Sequence, residues 1–262
     1  MKPHVQTRTE VVSPGVTRLT LAHPEALNAL SSAMMAELIE QLAGVAADPD
    51  CRVLVLAAQG KAFSAGHDLR EMRARPEHGF YRDLFAQCSQ LMLALQRLPQ
   101  PVIAQIQGIA TAAGCQLVAM CDLAVASDNA RFAVSGINYG LFCATPSVGL
   151  SRNVGRKKAM EMLLTGDFIS AAEAERQGLI NLAVPADRLE QAVSDLCAKI
   201  VAKPPVSVRM GKALFYQQLE LGMAAAYQLA GQTMACNMMD DAAQEGFQAF
   251  IDKRLPNWSA PR

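Results

Sequence analysis

Short apolar runs alternate with helical patterns along most of the chain. The runs at 16–23, 51–60 and 101–108 predict buried strands, and each leads through a turn of small residues into a stretch with helical spacing. Two shorter strands are predicted at 122–128 and 131–134, on either side of an Asp-Asn turn. Because strands alternate with helices, the pattern predicts an α/β architecture in which the strands pack between helices.

Polar residues at the starts of the helical stretches predict where those helices begin. Ser31 precedes a long apolar-periodic segment and is typical of an N-cap. Asp68 with Glu71, and Ser170 with Glu173, have the spacing of capping boxes. These signals predict helices that start directly after residues 31, 68 and 170.

The character of the chain changes after Asp187, where nearly every segment has a helical pattern. A helical tail on an α/β core commonly serves packing or oligomerisation. We therefore predict a core over residues 1–195 and a helical oligomerisation segment over residues 196–262.

Composition narrows the classes of function. Lys and Arg together number 24, as do Asp and Glu, so no net field favours nucleic acid or an acidic membrane as a partner. No apolar run approaches the roughly 20 residues that cross a bilayer. The opening segment, MKPHVQTRTEVV, lacks the apolar core of a secretion signal. These features predict a soluble, cytoplasmic protein.

The cysteines and histidines do not form a recognisable metal or disulfide pattern. Seven cysteines include no CxxC pair, which favours buried free thiols in a reducing compartment. The four histidines are dispersed, and no metal site is expected. The cysteines are at positions 51, 88, 115, 121, 143, 197 and 236, and the histidines at 4, 23, 67 and 78.

The segment GIATAAGCQLVAMCD, residues 108–122, places six small residues before a predicted helix. The first N–H groups of a helix lack intrahelical partners and lie at the positive end of its dipole. Small side chains let a ligand approach those groups, so the segment suits an oxygen that gains negative charge. Taken alone, small residues before a helix more often serve close packing of the helix than ligand binding.

Three stretches, PEALNALS, KAFSAGHDL and GIATAAGCQLVAMCDLAVASDNARF, resemble the enoyl-CoA hydratase/isomerase (crotonase) superfamily in order and spacing. Two later stretches, LTGDFISAAEAERQGLINLAVP and EGFQAFIDKR, extend the resemblance over essentially the whole chain. Finer features, AGHDL, ATAAGCQLVA and GLFCATP, are similar to the enoyl-CoA hydratase domain-containing protein 3 subgroup.

The resemblance implies the crotonase (ClpP/crotonase-like) fold, a spiral of ββα units with a C-terminal helical segment that forms trimers, often paired into hexamers. It also implies an acyl-CoA substrate, with coenzyme A entering as part of that substrate and no cofactor bound permanently. The thioester oxygen would lie between the backbone N–H groups of His67 and Ala113.

The coenzyme contacts implied by the resemblance fall in three parts of the chain. They are Ala26 and Leu27, then Ala65 with His67, Asp68, Leu69 and Arg70, and finally Phe250 and Lys253 from a neighbouring subunit. Asp68 is better explained as a helix cap than as a catalytic acid, and Lys253 is equally well explained as a solvated charge near a helix end.

Both glutamates that serve hydratases of this family are replaced, one by Gln116 and the other by Gly136. Gln116 is expected to line the site and orient water or substrate, since an amide has no titratable proton. The space left by Gly136 is expected to admit a branched acyl group or a substrate carboxylate. Replacement bases would come from Asn138, Tyr139, Cys143 or Asp122.

The resemblance therefore favours an enoyl-CoA hydratase/isomerase-type protein in which ordinary water addition is impaired. Alternatives are an acyl-CoA binder without turnover, and a thioesterase or decarboxylase on the same fold. A serine hydrolase is disfavoured because the sequence has no GxSxG motif.

Overall fold

The computed structural model describes residues 6–258, and within this range the chain forms ten β-strands and eleven α-helices. His4 and the first five residues of the N-terminal segment lie outside that range. The strands are β1 (Thr7–Ser13), β2 (Val16–Leu21), β3 (Val53–Ala58), β4 (Ala62–Ser64), β5 (Val102–Ile106), β6 (Ile109–Thr111), β7 (Leu123–Ser127), β8 (Arg131–Ala133), β9 (Ile169–Ser170) and β10 (Leu182–Val184).

The helices follow the strands in a repeating order. They are α1 (Ser32–Ala47), α2 (Leu69–Ala74), α3 (His78–Arg97), α4 (Ala113–Met120), α5 (Ala144–Asn153), α6 (Arg156–Thr165), α7 (Ala171–Arg176), α8 (Leu189–Val201), α9 (Pro205–Leu219), α10 (Met223–Met238) and α11 (Asp241–Ile251). Short 3₁₀ turns occupy Pro24–Ala26, Ser135–Tyr139 and Ala186–Arg188.

The strands form two sheets that the chain visits in alternation. The larger sheet has the order β1-β2-β3-β5-β7-β10, and the smaller has the order β4-β6-β8-β9. Three times in succession the chain adds one strand to the larger sheet, the next strand to the smaller sheet, and then a helix. This repeat is the predicted spiral of ββα units. All pairings within the two sheets are parallel except β1 with β2 and β8 with β9.

The central strands β3 and β5 of the larger sheet are buried on both faces, as their apolar runs predict. On one face, side chains such as Leu54 and Leu56 join the main core with α1, α3 and α4. On the other face, Val53, Val55 and Ile103 pack against α8. Because β3 contributes to both clusters, it reads as a continuous apolar segment and not as an alternating one.

The predicted N-caps are present, but the capping boxes are only half formed. The Ser31 side chain accepts from the N–H of Met34, and the Asp68 side chain accepts from the N–H of Glu71. Glu71 does not return this bond, since its carboxylate accepts instead from the N–H of Ser32. Glu71 thereby links the start of α1 to α2.

The predicted division between residues 195 and 196 falls inside α8. That helix buries Leu189, Val193 and Cys197 against the larger sheet, so it belongs to the core. The helices that are mostly unburied begin with α9. Helices α9 and α10 contain no buried residue, and α11 contains only one, Ala249. The helical segment therefore begins at Pro205.

A cluster around Asp122 attaches α9 to the core. The Asp122 carboxylate lies 2.7 Å from Lys212 Nζ and accepts from the Val102 N–H at 2.6 Å and the Tyr216 hydroxyl at 2.8 Å. Burial lowers the pKa of Lys212, against the attraction of Asp122. Asp122 thus has a structural role and is not available as a replacement base.

Candidate functional site

The turn before α4 has an unusual backbone conformation at Ala112. Its φ is 50° and its ψ is −121°, a region that side-chain-bearing residues rarely adopt and that typically costs about 1–3 kcal/mol. Two hydrogen bonds hold the turn: the Ala112 N–H donates to the Ala133 carbonyl at 3.0 Å, and the Ala112 carbonyl accepts from the Gln116 N–H at 3.1 Å. The ψ angle of Ala112 fixes the direction of the Ala113 N–H, which is the first of the helix.

Two glycines in this segment let the chain pass close to its neighbours. A Cβ on Gly114 would lie 2.2 Å from the carbonyl oxygen of Ser64, and one on Gly108 would lie 2.1 Å from that of Lys61. The start of α4 therefore rests directly on the backbone of β4. These two glycines serve close packing. The Ala113 amide lies between them in the sequence.

The second predicted donor lies in a turn that touches the first. Gly66 has φ +88°, and a Cβ there would lie 2.9 Å from the Cβ of Ala112 and 3.1 Å from the nitrogen of Ala113. His67 follows directly. We call residues 66–67 and 112–113 the donor turns. Among the described residues, no protein acceptor takes the N–H of His67 or of Ala113.

Ala26, Leu27 and Ala65, three of the predicted coenzyme-contact residues, lie beside these turns. Leu27 has a left-handed backbone, and its carbonyl accepts from the Ala65 N–H at 3.0 Å. The buried Asn28 secures the connection because its side-chain amide donates to the carbonyls of Gln59 and Ala62. The only sequence signal for Asn28 is that it interrupts the apolar run ALNAL.

Asp68, Leu69 and Arg70 form the start of α2, next to the second donor turn. Leu69 lines the same cavity as His67 and Ala113. Phe250 and Lys253 lie at the end of the C-terminal helices and do not line that cavity. Their predicted contribution from a neighbouring subunit stays a prediction.

Both donor turns line one apolar cavity of about 160 Å³. None of its lining residues, all of them within the described range, is Asp, Glu, Lys or Arg. The lining residues are Ala65, His67, Leu69, Met72, Phe85, Ala112, Ala113, Ser135, Gly136, Tyr139, Leu141, Phe142, Cys143, Ala144, Thr145 and Pro146. A mostly apolar and aromatic lining with few polar groups is typical of small-molecule sites.

The imidazole of His67 is held in one orientation in the cavity wall. Its Nδ1 lies 3.2 Å from the Leu30 carbonyl oxygen, and its ring meets Phe85 edge to face with centroids 5.5 Å apart. Burial lowers the pKa of the imidazole, partly opposed by the Leu30 hydrogen bond and by Glu71. The ring is therefore neutral at pH 7 and donates from Nδ1.

Gln116 does not line the cavity, contrary to the prediction. Its side chain is buried, and its Oε1 lies 3.9 Å from the Cys88 Sγ of α3. It lies three residues beyond Ala113 in α4, a helix that is buried from Ala113 to Ala119.

The space expected beside Gly136 is filled. A Cβ there would lie 2.6 Å from the Leu141 carbonyl oxygen and 2.8 Å from Cys143 Sγ, and the Gly136 N–H donates to that sulfur at 3.3 Å. The expectation of room for a branched group or carboxylate is wrong because residues 140–143 fold back over the glycine. We call this segment, with the preceding 3₁₀ turn, the 135–143 loop.

The remaining candidate bases do not supply a carboxylate either. Asn138 donates to the Gly166 carbonyl at 3.4 Å. Tyr139 and Cys143 line the cavity, and burial raises the pKa of the Cys143 thiol, so it stays protonated. Six of the seven cysteines are buried free thiols, as predicted, while Cys236 is exposed.

Two further features are absent from the described residues 6–258. No helix in that range is both long enough and apolar enough to span a bilayer. In the same range, no three His, Cys, Asp or Glu side chains converge as metal ligands would.

Comparison with known proteins adds sequence and structural relatives. A family model described as Enoyl-CoA hydratase/isomerase matches residues 12–261. The mitochondrial enoyl-CoA hydratase domain-containing protein 3 of Rattus norvegicus is 45% identical over 245 residues, which are 94% of this chain and 82% of that protein. The subgroup predicted from the finer motifs is thereby confirmed.

Solved structures agree on the fold. An enoyl-CoA hydratase from Mycobacterium smegmatis is 57% identical with a TM-score of 0.96, and the match covers 98% of this chain and 100% of that one. The human enoyl coenzyme A hydratase domain-containing protein 3 is 42% identical with a TM-score of 0.93, covering 97% and 100%. The predicted crotonase fold is confirmed.

The comparisons contradict one expectation. The cytoplasmic location predicted from the N-terminal segment is wrong in light of the rat relative and four other vertebrate relatives, all of which carry the word mitochondrial in their names.

Proposed function

Because the chain belongs to the enoyl-CoA hydratase/isomerase family, we propose that it binds an acyl-CoA thioester and holds the carbonyl oxygen between the backbone N–H groups of His67 and Ala113. The observation that carries the proposal is the contact between the donor turns, since a Cβ on Gly66 would lie 3.1 Å from the nitrogen of Ala113. Coenzyme A enters as part of the substrate.

The surroundings of these two groups favour an oxygen that gains negative charge. The Ala113 N–H lies at the positive end of α4, and the apolar cavity strengthens electrostatic interactions. A preorganised donor of this kind is typically worth about 10²–10³ in rate. Activation of a thioester as an enolate or a tetrahedral oxyanion requires such stabilisation.

The same site is poorly equipped for ordinary water addition. Neither Gln116 nor Gly136 supplies a carboxylate, and no lining residue in the described range is Asp or Glu. General acid–base catalysis typically contributes about 10²–10⁴ in rate. This observation favours a second candidate function, an acyl-CoA binder without hydratase turnover.

Assembly into a homotrimer or a hexamer is part of the proposal. Helices α9–α11 expose large apolar side chains, among them Tyr227 and Phe250, at 73% and 84% exposure. Surfaces of this kind mark protein interfaces. In such an assembly Phe250 and Lys253 would reach the coenzyme of a neighbouring subunit.

The test removes one donor and measures binding of hexanoyl-CoA by isothermal titration calorimetry. Ala113→Pro lacks the N–H, and proline is tolerated at the first position of a helix. We expect binding at least ~10-fold weaker than wild type, because the variant loses one hydrogen bond to the oxygen and its ring Cδ takes the place of the amide hydrogen. Ala113→Gly, which keeps the N–H, is the matched control. Equal affinity in a Pro variant that unfolds at the wild-type temperature contradicts the proposal.

A second measurement is independent of any variant. In isotope-edited infrared spectra of hexanoyl-CoA labelled with ¹³C at C1, hydrogen bonding lowers the carbonyl stretching frequency on binding. An unshifted band in the wild-type complex contradicts the proposal.

A third experiment incubates the protein with a panel of enoyl-, hydroxyacyl- and malonyl-type thioesters. The presence or absence of product separates an enzyme from a binder.

A further inference from the structure

The imidazole of His67 has one nitrogen with a hydrogen-bond partner and one without. Nδ1 lies 3.2 Å from the Leu30 carbonyl oxygen, which can only accept, so the proton of the neutral ring is on Nδ1 and Nε2 carries a lone pair. Nε2 is buried, and no group among the described residues forms a hydrogen bond with it. A buried polar atom without a protein partner is rare in folded proteins and calls for a functional explanation.

The ring is placed between the core and the cavity. The Nδ1 side of the ring is turned to Leu30, which does not line the cavity, whereas His67 itself does. The edge of the ring opposite Nδ1 is the Nε2–Cδ2 bond. The backbone N–H of the same residue is one of the two proposed donors to the thioester oxygen. His67 therefore positions both that oxygen and Nε2, and C2 of the acyl group, which is bonded to the carbonyl carbon, would lie close to both.

Among the described lining residues, the other side chains are poor proton acceptors at pH 7. None is Asp or Glu, so the carboxylates of related hydratases have no counterpart there. Burial raises the pKa of the Cys143 thiol, which stays protonated. Ser135, Tyr139 and Thr145 carry hydroxyl groups, which are weak bases. The His67 imidazole is thus the base of the cavity.

Resting on the proposed function, we propose that Nε2 of His67 takes a proton from C2 of the bound acyl thioester. The C2–H bond breaks, and its electron pair forms the C1–C2 double bond of an enolate. The electron pair of the C1–O double bond moves onto the oxygen between the donor turns. The proton forms an N–H bond at Nε2, and the ring becomes an imidazolium. Return of a proton from Nε2 to C2 regenerates the thioester.

The surroundings of the ring suit both of its charge states. Burial lowers the pKa of the imidazole, so the lone pair is available at pH 7. The Leu30 hydrogen bond and the Glu71 carboxylate of α2 oppose this effect and stabilise the imidazolium once it forms. The imidazolium and the enolate form together, and they attract each other strongly in an apolar cavity.

The experiment follows the C2 hydrogens of hexanoyl-CoA by ¹H NMR in D₂O with the full chain. A deuteron from solvent replaces each hydrogen that has been transferred to Nε2. We expect the wild-type protein to accelerate this exchange over buffer, and His67→Asn to lower the protein-catalysed rate by ~100-fold or more. The asparagine amide can still donate to Leu30 and the backbone N–H of residue 67 is kept, so the affinity for hexanoyl-CoA should stay within ~3-fold of wild type.

His78→Asn is the matched control. It makes the same substitution at an exposed histidine at the start of α3, outside the cavity, and should retain the wild-type exchange rate. A folded His67→Asn protein that exchanges C2 hydrogens as fast as wild type overturns the inference.

A second measurement needs no variant. In protein with ¹⁵N-labelled histidine, long-range ¹H–¹⁵N correlation spectra at pH 7 show which ring nitrogen carries the proton. We expect the proton of His67 on Nδ1. A proton on Nε2 overturns the inference, because the lone pair would then be directed at Leu30.

The outcomes separate the two proposals. If hexanoyl-CoA binds no more tightly than free coenzyme A, the acyl site itself is absent and the proposed function fails. If hexanoyl-CoA binds well above free coenzyme A but its C2 hydrogens exchange no faster than in buffer, the proposed function stands and the inference about His67 fails.

Discussion

The two sides of the cavity are built in different ways. The donor turns lie against backbone, since a Cβ on Gly114 would meet the Ser64 carbonyl oxygen at 2.2 Å, and the polar groups of Ala112 are bonded within the core. The 135–143 loop exposes most of Tyr139, and Gly140 has no atom within 4 Å of where its Cβ would be. The donor turns are thus fixed by main-chain contacts, whereas the opposite side of the cavity is formed by a loop with exposed side chains.

The largest expected effect is that of Gly114→Ala. Its methyl group would overlap the Ser64 backbone, and both β4 and this part of α4 are buried. We expect the free energy of unfolding to fall by about 3 kcal/mol in urea titrations. Gly44→Ala in α1, where no atom lies within 4 Å, is the control and should gain about 0.5–1 kcal/mol. A Gly114→Ala protein of wild-type stability would contradict the view that the donor turns are more rigid than the 135–143 loop.

Gly136→Ala is the matched change on the other side. Its methyl group would overlap the Leu141 carbonyl oxygen at 2.6 Å, nearly as closely as at residue 114. Because the loop is exposed, it can shift, and we expect a loss of only about 1 kcal/mol in the same urea titrations. A loss as large as that of Gly114→Ala would show that the loop is as rigid as the donor turns.

Ser135→Ala breaks a hydrogen bond that joins the two sides. The Ser135 hydroxyl lies 2.8 Å from that of Thr111. We expect a loss of about 1 kcal/mol, with faster hydrogen exchange at residues 136–143 and unchanged exchange at 112–116. Ser151→Ala removes an exposed hydroxyl on α5 and is the control. It should change neither the free energy of unfolding nor the hydrogen exchange of residues 136–143. Faster exchange in both segments would mean that the sides open as one unit.

The smallest effect concerns the protonation of His67. Burial lowers the pKa of its imidazole below the ordinary value of 6.5, so the unfolded chain binds the proton more readily than the folded chain. This contribution to stability is complete above pH 6.5 and is lost as the pH falls below it, by less than about 1 kcal/mol at pH 6. We expect His67→Gln to flatten the dependence of unfolding free energy on pH between 7 and 6. Parallel curves for the two proteins would contradict this.

The sequence predicts the parts of the fold that depend on local pattern. The apolar runs of β3 and β5 and the cap at Ser31 are visible because burial and capping act over a few neighbouring residues. Strand β1 is not visible in this way. Six of its seven residues are exposed, so Thr7–Ser13 carries no apolar alternation, and it forms because β2 offers it a partner.

The candidate site is also predictable only in part. Family spacing places His67 and Ala113 in turns that do meet. It does not predict what fills the space of an absent side chain, because that depends on the path of residues 140–143 over Gly136. Nor does it predict that Gln116 turns towards Cys88, 28 residues earlier in the chain.

The strained backbone at Ala112 affects what selection for higher thermal stability would do to this protein. Glycine would relieve the strain at φ 50°, so a screen for heat resistance would readily reward that exchange. The methyl group lost would be the one that lines the cavity beside the Ala113 amide. A more heat-resistant protein with glycine at this position would therefore have an altered cavity lining next to Ala113.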